Sequence, residues 1–216
     1  MANNFYAALF QDGTVKTYLS WEACSKDVTG THGCLYKGFK TSDEQTRWLR
    51  NLSGIGHGDE ESPLPKIYVD GSFGGSLTKA GWAWVCVKNE VILGEGSGVT
   101  PWDAESRNID GECMAVMEAL RWAKSRAMRA MIVHDYLGLS AWAYGEWKAK
   151  STMAEKYVQA VRPIVRDLQV VFRHIRGHQG NKWNEYVDRR AKEARESLWE
   201  FESPRCHILT DLVSSE

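Results

Sequence analysis

The alternation of hydrophobic and polar positions separates the 216-residue chain into two patterned stretches joined by a polar segment. In the first stretch, 4–10, 14–20 and 34–39 have the pattern of strands, and 21–28 and 41–52 that of helices. Ser20 stands at the N-cap position of the first helix, and a Thr-Ser pair precedes the acidic first turn of the second. The first stretch therefore predicts a small α+β unit.

The second stretch continues with strand and helix patterns in another order. Strand-like segments lie at 66–70, 80–87, 91–99, 131–135 and 168–175, and helical patterns lie at 113–127, roughly 138–167 and 184–199. An Asn89-Glu90 pair between the second and third segments predicts a hairpin turn. The order three strands, helix, strand, helices, strand, helix predicts a mixed sheet covered by helices.

A segment rich in Gly, Ser, Pro and acidic residues at 51–65 interrupts both patterns and is the predicted linker. It divides residues 1–50 from residues 66–200, two lengths that suit separate domains. We expect the two units to fold independently. Residues 201–216 form a tail in which the pattern predicts no element.

The composition, 43% hydrophobic and 25% charged residues, is typical of a soluble globular protein. No apolar run is long enough to span a membrane, and no clear targeting segment follows Met1. The five cysteines are an odd number without a Cys-x-x-Cys pair, which favours a reducing compartment. We expect a monomer in the cytoplasm, or in the nucleus or an organelle if the source is eukaryotic, with no membrane partner.

The formal net charge of −1 conceals an uneven distribution. From Arg121 to Arg176 there are 11 Lys and Arg residues against 4 Asp and Glu residues. Such a basic excess fits a polyanionic partner, although a solvated face is the usual cause of clustered charge. Most of the ten tryptophans are expected in the core, and a few of them as stacking platforms.

Four carboxylates of the second stretch occupy unusual positions. Asp70 and Asp135 each end an apolar strand, Glu112 opens a helix, and Asp188 lies on the last helix. Each has an ordinary role as well: a turn former, a charge at a helix N-terminus, a helix cap, or the partner of Lys192. Together they predict one cluster, whose mutual repulsion requires a cation. Oxygen ligands favour Mg²⁺, with Mn²⁺ as the alternative, and two such ions ~4 Å apart suit attack on phosphodiesters.

A histidine adds to this cluster. His178 stands between two glycines, ten residues before Asp188. A lone histidine on a turn is usually an ordinary surface residue. Near a metal cluster it is a candidate proton shuttle or leaving-group acid, because histidine titrates near neutral pH.

The stretches IYVDGS, RNIDGECMAVMEAL, IVHDYLGLSAWAYGEWKAK and RGHQGNKWNEYVDRRAKEA resemble type 1 ribonuclease H over roughly 66–196. The resemblance implies an α/β fold with a five-stranded mixed sheet flanked by helices. It also implies endonucleolytic hydrolysis of RNA paired to DNA with two Mg²⁺ ions. Carried over, Asp70, Glu112, Asp135 and Asp188 are the metal ligands, and His178 is the loop histidine. These five are the expected catalytic residues.

The same resemblance implies contacts with the nucleic acid. Asn108 and the group around Ser72 are expected against the RNA strand, and Asn184 near the nucleic-acid backbone. Arg107 stands where many members have a small hydroxyl residue that touches a DNA phosphate. The basic protrusion of many relatives is reduced here to Lys148 and Lys150, so we expect further substrate grip from elsewhere in the chain.

Residues 1–50 resemble the small hybrid-binding domain that precedes some ribonucleases H. The resemblance implies that Tyr6, Trp21 and Tyr36 are groove aromatics and that Lys37 contacts a phosphate. It also admits double-stranded RNA as a ligand of this unit. Gly38 replaces a lysine that is common in the family, and residues 1–50 hold 6 basic and 5 acidic residues. We therefore expect a modest electrostatic contribution to binding.

Two other functions compete with a ribonuclease. A related carboxylate nuclease with the same sheet acts on DNA instead, and the surroundings of Glu112 and of His178 argue against it. The second alternative is a catalytically silent protein that binds hybrids or double-stranded RNA. The presence of four carboxylates and His178 argues against it.

Overall fold

The computed structural model describes residues 3–53, 63–75, 77–177 and 180–202. The small unit contains β1 (Phe5–Leu9), β2 (Val15–Tyr18), α1 (Trp21–Val28), β3 (Leu35–Phe39) and α2 (Ser42–Ser53). Its antiparallel sheet has the order β2-β1-β3. Ser20 caps α1 by accepting a hydrogen bond from the Ala23 amide at 3.2 Å. The expected α+β unit is confirmed.

The described residues of the large unit form nine elements in the predicted order. They are β4 (Lys66–Ser72), β5 (Gly81–Lys88), β6 (Val91–Val99), α3 (Asn108–Ser125), β7 (Met131–His134), α4 (Gly138–Tyr144), α5 (Thr152–Leu168), β8 (Val171–His174) and α6 (Lys182–Glu202). The sheet order is β6-β5-β4-β7-β8, antiparallel from β6 to β4 and parallel from β4 to β8. This is the predicted five-stranded mixed sheet.

Alternate side chains of each strand face different helices. Ile67 and Val69 of β4 pack with α3 and α5 in one apolar cluster, while Tyr68 packs against α6 in another. Both faces of the sheet are therefore covered. None of the described helices is long and apolar enough to cross a membrane.

Three element boundaries differ from the expectation. α3 begins at Asn108 rather than beside Glu112, because Arg107, at φ 58°, stands as its N-cap. β4 continues past Asp70, which pairs with Ala83 inside the ladder. β8 is shorter than expected because Gln169, at φ 51°, ends α5 in a left-handed conformation.

The two units share one apolar cluster, a contact that the sequence did not indicate; independent folding of the units stays a prediction. Leu49 and Leu52 of α2 pack with Leu137 and Ala141 of the large unit, and α2 also contacts the edge strand β8. Lys37 and Glu146 form an ion pair at 2.9 Å across the same interface. Most of the predicted linker (54–62) and most of the tail (203–216) lie outside the described residues.

Candidate active site

Three of the expected carboxylates meet at one end of the sheet. Asp70 lies in β4, Asp135 follows β7, and Glu112 lies in the second turn of α3. Each offers an oxygen atom, and these atoms all lie within 4.8 Å of one another. β4 and β7 are parallel neighbours, so their carboxyl ends present Asp70 and Asp135 on the same side.

Two glycines allow α3 to approach β4 this closely. A Cβ atom at Gly71 would lie 2.3 Å from the Glu112 amide nitrogen, and one at Gly111 would lie 2.4 Å from the Gly81 carbonyl oxygen. Real Cβ contacts are essentially never this short, so any side chain at either position would separate the helix from the sheet. The contact between Gly71 and Gly111 thus sets the distance between Asp70 and Glu112.

The metal-free cluster disfavours negative charge. Burial, followed by the charge of Asp135, raises the pKa of Asp70 to about 7. Burial, followed by the charges of Asp70 and Asp135, raises the pKa of Glu112 well above its usual value. The Gly71 amide donates to Asp70 Oδ1 at 2.7 Å, whereas Glu112 Oε2 is buried with no hydrogen-bond partner among the described residues. An unpartnered oxygen among carboxylates fits a cation ligand.

Asp188 lies near this group without joining it. Its charge contributes to raising the pKa of Asp70. Its Oδ2 atom accepts a hydrogen bond from Lys192 Nζ at 2.7 Å, which is the ordinary pairing that its position on α6 predicts. A cation bound between Asp70 and Asp188 would compete with Lys192 for the second carboxylate.

His178 lies outside the described residues, so its position beside the cluster stays a prediction. The residue before it, Gly177, approaches the site closely. A Cβ atom at Gly177 would lie 2.8 Å from Asp135 Oδ2. The chain that leads to His178 therefore passes directly against a carboxylate of the cluster.

The residues expected to contact nucleic acid occupy different environments. Arg107 and Asn108 are exposed at the N-terminus of α3, and Lys148 and Lys150 are exposed between α4 and α5. Ser72 is buried and its hydroxyl accepts a hydrogen bond from Arg195 Nη1 at 3.2 Å, a partner that the sequence did not indicate. Asn184 is only 5% exposed, and its Oδ1 has no partner among the described residues.

Two buried histidines beside Asp135 had no signal in the sequence. His174 Nε2 lies 2.9 Å from the Asp135 carbonyl oxygen, and His134 Nδ1 lies 2.9 Å from the Tyr136 carbonyl oxygen. The two histidines come together only through the pairing of β7 with β8, which places their ring centroids 5.6 Å apart.

On the small unit, the three expected aromatic side chains form one group. The Tyr6 and Trp21 ring centroids are 6.0 Å apart, and those of Trp21 and Tyr36 are 5.7 Å apart. Trp21 is 46% and Tyr36 50% exposed, which is unusual for large rings. Lys37 follows Tyr36 in the sequence, but its ammonium group forms an ion pair with Glu146.

A family model described as RNase H matches residues 65–196, and one described as Ribonuclease H1 N-terminal domain matches residues 12–49. The chain is 28% identical to a ribonuclease H of Syntrophomonas wolfei over 144 residues, covering 61% of this chain and 96% of that protein. It is 30% identical to a ribonuclease H of Treponema pallidum over 149 residues, covering 59% of this chain and 88% of that protein.

Solved structures share the fold at lower identity. RNase H1 from the halophilic archaeon Halobacterium salinarum has a TM-score of 0.53 at 21% identity, covering 62% of this chain and 98% of that one. LC11-RNase H1 in complex with an RNA/DNA hybrid has a TM-score of 0.50 at 20% identity, covering 60% of this chain and 98% of that one.

Proposed function

The chain belongs to the RNase H family, and on that premise we propose that it cleaves RNA paired to DNA with two divalent cations held by four carboxylates. These are Asp70, Glu112, Asp135 and Asp188. The observation that carries the proposal is the convergence of three of them within 4.8 Å, with a buried and unpartnered oxygen on Glu112. The order of these residues along the chain is that of type 1 ribonuclease H.

The donor set suits a hard cation. All the candidate ligands are carboxylate oxygens, which Mg²⁺ and Mn²⁺ accept, whereas softer metals select sulfur or imidazole. We propose Mg²⁺ as the resident ion and Mn²⁺ as a substitute. When bound, such a pair of ions supplies positive charge at the attacking and leaving oxygens of a phosphodiester and lowers the pKa of a bound water.

The residues of the chain then have separate tasks. Asp70, Glu112 and Asp135 hold fixed positions because β4 pairs with β7 and α3 packs on β4 through the contact of Gly71 with Gly111. Asp188 can exchange Lys192 for a cation, because it lies on the face of α6 that reaches Asp70. His178 provides a group that transfers a proton near neutral pH, and it follows the segment that touches Asp135.

Recognition of the substrate is assigned to exposed polar residues. Asn108 and Arg107 lie at the N-terminus of α3, four and five residues before Glu112, where they can reach a bound nucleic acid. Selectivity for RNA requires a contact with 2′-hydroxyl groups. We assign this contact to Asn108 and to main-chain groups beside Ser72, because the Ser72 side chain is buried against Arg195.

The small unit is assigned a binding role. Tyr6, Trp21 and Tyr36 form a ring group that can pack on sugars or bases, and such contacts tolerate any sequence. We propose that this unit binds the hybrid and that it also accepts double-stranded RNA.

The test is cleavage of an RNA strand labelled at its 5′ end. The labelled strand is offered alone, paired to DNA and paired to RNA, and a DNA duplex of the same sequence is added as a fourth substrate. We expect internal cuts only in the hybrid, only with Mg²⁺ or Mn²⁺, and none after chelation. Equal cleavage of the DNA duplex would favour the related DNA nuclease, and no cleavage of any substrate would favour a silent binding protein.

A further inference from the structure

We propose that His134 and His174 are positioning residues that hold the main chain of Asp135 so that its carboxylate stays in the cation site. The inference rests on the proposed function of that site. Both rings act through hydrogen bonds to the backbone rather than through the carboxylate itself.

The hydrogen bonds define which atom of each ring is involved. His174 Nε2 lies 2.9 Å from the Asp135 carbonyl oxygen, and His134 Nδ1 lies 2.9 Å from the Tyr136 carbonyl oxygen. A carbonyl oxygen only accepts, so each of these ring nitrogens carries the proton and donates it. His174 is therefore the Nε2–H tautomer and His134 the Nδ1–H tautomer.

The contacts lie where the sheet no longer supports the chain. β7 ends at His134, and the last main-chain bond to the neighbouring strand runs from the Ile175 amide to the His134 carbonyl oxygen at 2.9 Å. Asp135 and Tyr136 follow beyond the end of the strand. The two rings donate hydrogen bonds to the carbonyl oxygens of these two residues. Asp135, the first of them, carries the carboxylate of the cation site.

Both rings are buried and packed against other rings. His134 is fully buried and His174 is 6% exposed, and their centroids lie 5.6 Å apart in an edge-on arrangement. His134 also packs edge-on against Phe172. Burial lowers the pKa of His134 to about 3 and also lowers the pKa of His174, so burial disfavours a charged ring at either position.

The second nitrogen of each ring shows that packing alone does not explain why a histidine occupies each of these positions. His134 Nε2 and His174 Nδ1 are buried and have no hydrogen-bond partner among the described residues. A hydrophobic side chain of similar size, such as phenylalanine or leucine, avoids the cost of a buried unsatisfied nitrogen. The bond that each ring donates to the backbone is the feature that a hydrophobic side chain cannot replace.

Paired substitutions at the two sites test the proposal. The side-chain amide nitrogen of Asn lies close to the position of His Nδ1, and that of Gln lies close to the position of His Nε2. His134→Asn and His174→Gln therefore keep the donor, whereas His134→Gln and His174→Asn displace it. A misplacement of ~1 Å costs on the order of 10²-fold in rate. We expect a loss of kcat of that order for the displaced pair, a much smaller loss for the retained pair, and an unchanged KM for a hybrid.

Binding of Mn²⁺ alone, followed by its free-ion paramagnetic resonance signal, gives a readout without catalysis. Weaker Mn²⁺ binding in His134→Gln than in His134→Asn, and in His174→Asn than in His174→Gln, supports the proposal. The same order of Asn and Gln at both sites would assign the effect to side-chain size and overturn it. Asp135→Asn is measured in parallel: full cleavage and Mn²⁺ binding by that variant would instead contradict the proposed metal site.

The native protein provides a measurement that does not depend on the folding of any variant. Nitrogen-15 shifts of labelled histidine rings distinguish the two neutral tautomers. We expect Nδ1–H for His134 and Nε2–H for His174. The opposite tautomer at either ring removes its donor from the backbone and overturns the proposal for that residue.

Discussion

Asp70 is a carboxylate that folding places where its charge is disfavoured. Its neighbours Glu112 and Asp135 are also acidic, and their oxygens lie within 4.8 Å of its own. In the absence of a cation, burial and then the charge of Asp135 raise the pKa of Asp70 to about 7, from 3.8 for the isolated group. A cation that binds here is coordinated by the carboxylate oxygens and also reduces the repulsion between the carboxylates.

The raised pKa of Asp70 predicts a pH dependence for the stability of the metal-free protein. Because the pKa of Asp70 is higher in the folded state, that state holds more protons, and the free energy of unfolding falls as pH rises from about 4 to about 7. The lowered pKa of His134 acts in the opposite direction below pH 6.5, so the informative quantity is the difference from Asp70→Asn. Urea unfolding in a chelator should show Asp70→Asn to be increasingly more stable than the native protein across this window. A constant difference from about pH 4.5 to about pH 8 would contradict the assignment.

His178 has a different predicted signature, because it assists proton transfer without holding a cation. His178→Ala should lower turnover by ~10²-fold and leave hybrid binding nearly unchanged. Single-turnover cleavage and a separate binding titration distinguish the two effects. A loss as complete as that of Asp70→Asn would identify the histidine as a ligand.

Among the elements, the contact of α3 with β4 is the most sensitive. A Cβ at Gly111 would lie 2.4 Å from the Gly81 carbonyl oxygen and 2.9 Å from Gly71 Cα, both backbone atoms that cannot rotate away. Gly111→Ala should destabilise the protein by ~1–3 kcal/mol and also reduce cleavage, because Glu112 moves with the helix.

The control for Gly111→Ala is Gly30→Ala. Gly30 has φ +80°, and beyond its two chain neighbours no atom lies within 4 Å of the position that a Cβ would take, so its substitution tests backbone strain alone. It should cost ~1–2 kcal/mol in urea unfolding and leave the cleavage rate unchanged. Equal cleavage by the two variants would show that the spacing of α3 and β4 does not set the site.

The order of the elements could be predicted because each carries a local signal. The strand composition of β5 and β6, the Asn89-Glu90 turn and the Ser20 cap are all properties of neighbouring residues, and the structure confirms the strand pair, the turn and the cap. The start of α3 was placed too late, because the positive φ of Arg107 has no sequence signature.

The site could be predicted only in part. Asp70 and Asp135 are predicted together because the ends of adjacent strands lie side by side, whereas Glu112 is predicted from its place near the start of a helix, and all three lie in one cluster. The bonds from His134 and His174 to the backbone depend on the register of β7 with β8, which no local pattern specifies.

At the scale of the whole molecule, the sequence did not indicate that the small unit packs on the large one. Leu52 is 1% exposed in the cluster that α2 shares with Leu137 and Ala141. A Cβ at Gly13 of the small unit would lie 3.7 Å from His174 Nδ1, so the turn between β1 and β2 also reaches the surroundings of Asp135. The polar segment at 51–65 predicts a linker between the two units, but a linker signal does not reveal which of their surfaces meet.

This packing constrains the proposed phosphate contact of Lys37, whose ammonium lies 2.9 Å from Glu146 Oε1. Glu146→Gln should release it and tighten hybrid binding about two- to fivefold, the range of an exposed ion pair. The salt dependence should steepen by about one phosphate contact. Glu155→Gln makes the same charge change at an exposed residue of α5 and is the matched control. Equal effects of both variants would mean that net charge, and not Lys37, determines the change.

The most direct test of the central claim is the single-turnover rate of RNA-strand cleavage in a hybrid at saturating Mg²⁺. It compares the native protein with Asp70→Asn and with Asp167→Asn, which changes an exposed carboxylate of α5. If the clustered carboxylates hold the catalytic cations, Asp70→Asn falls to the rate seen after chelation, with its fold retained, while Asp167→Asn cleaves like the native protein. Cleavage by Asp70→Asn within a few-fold of the native rate would contradict the account.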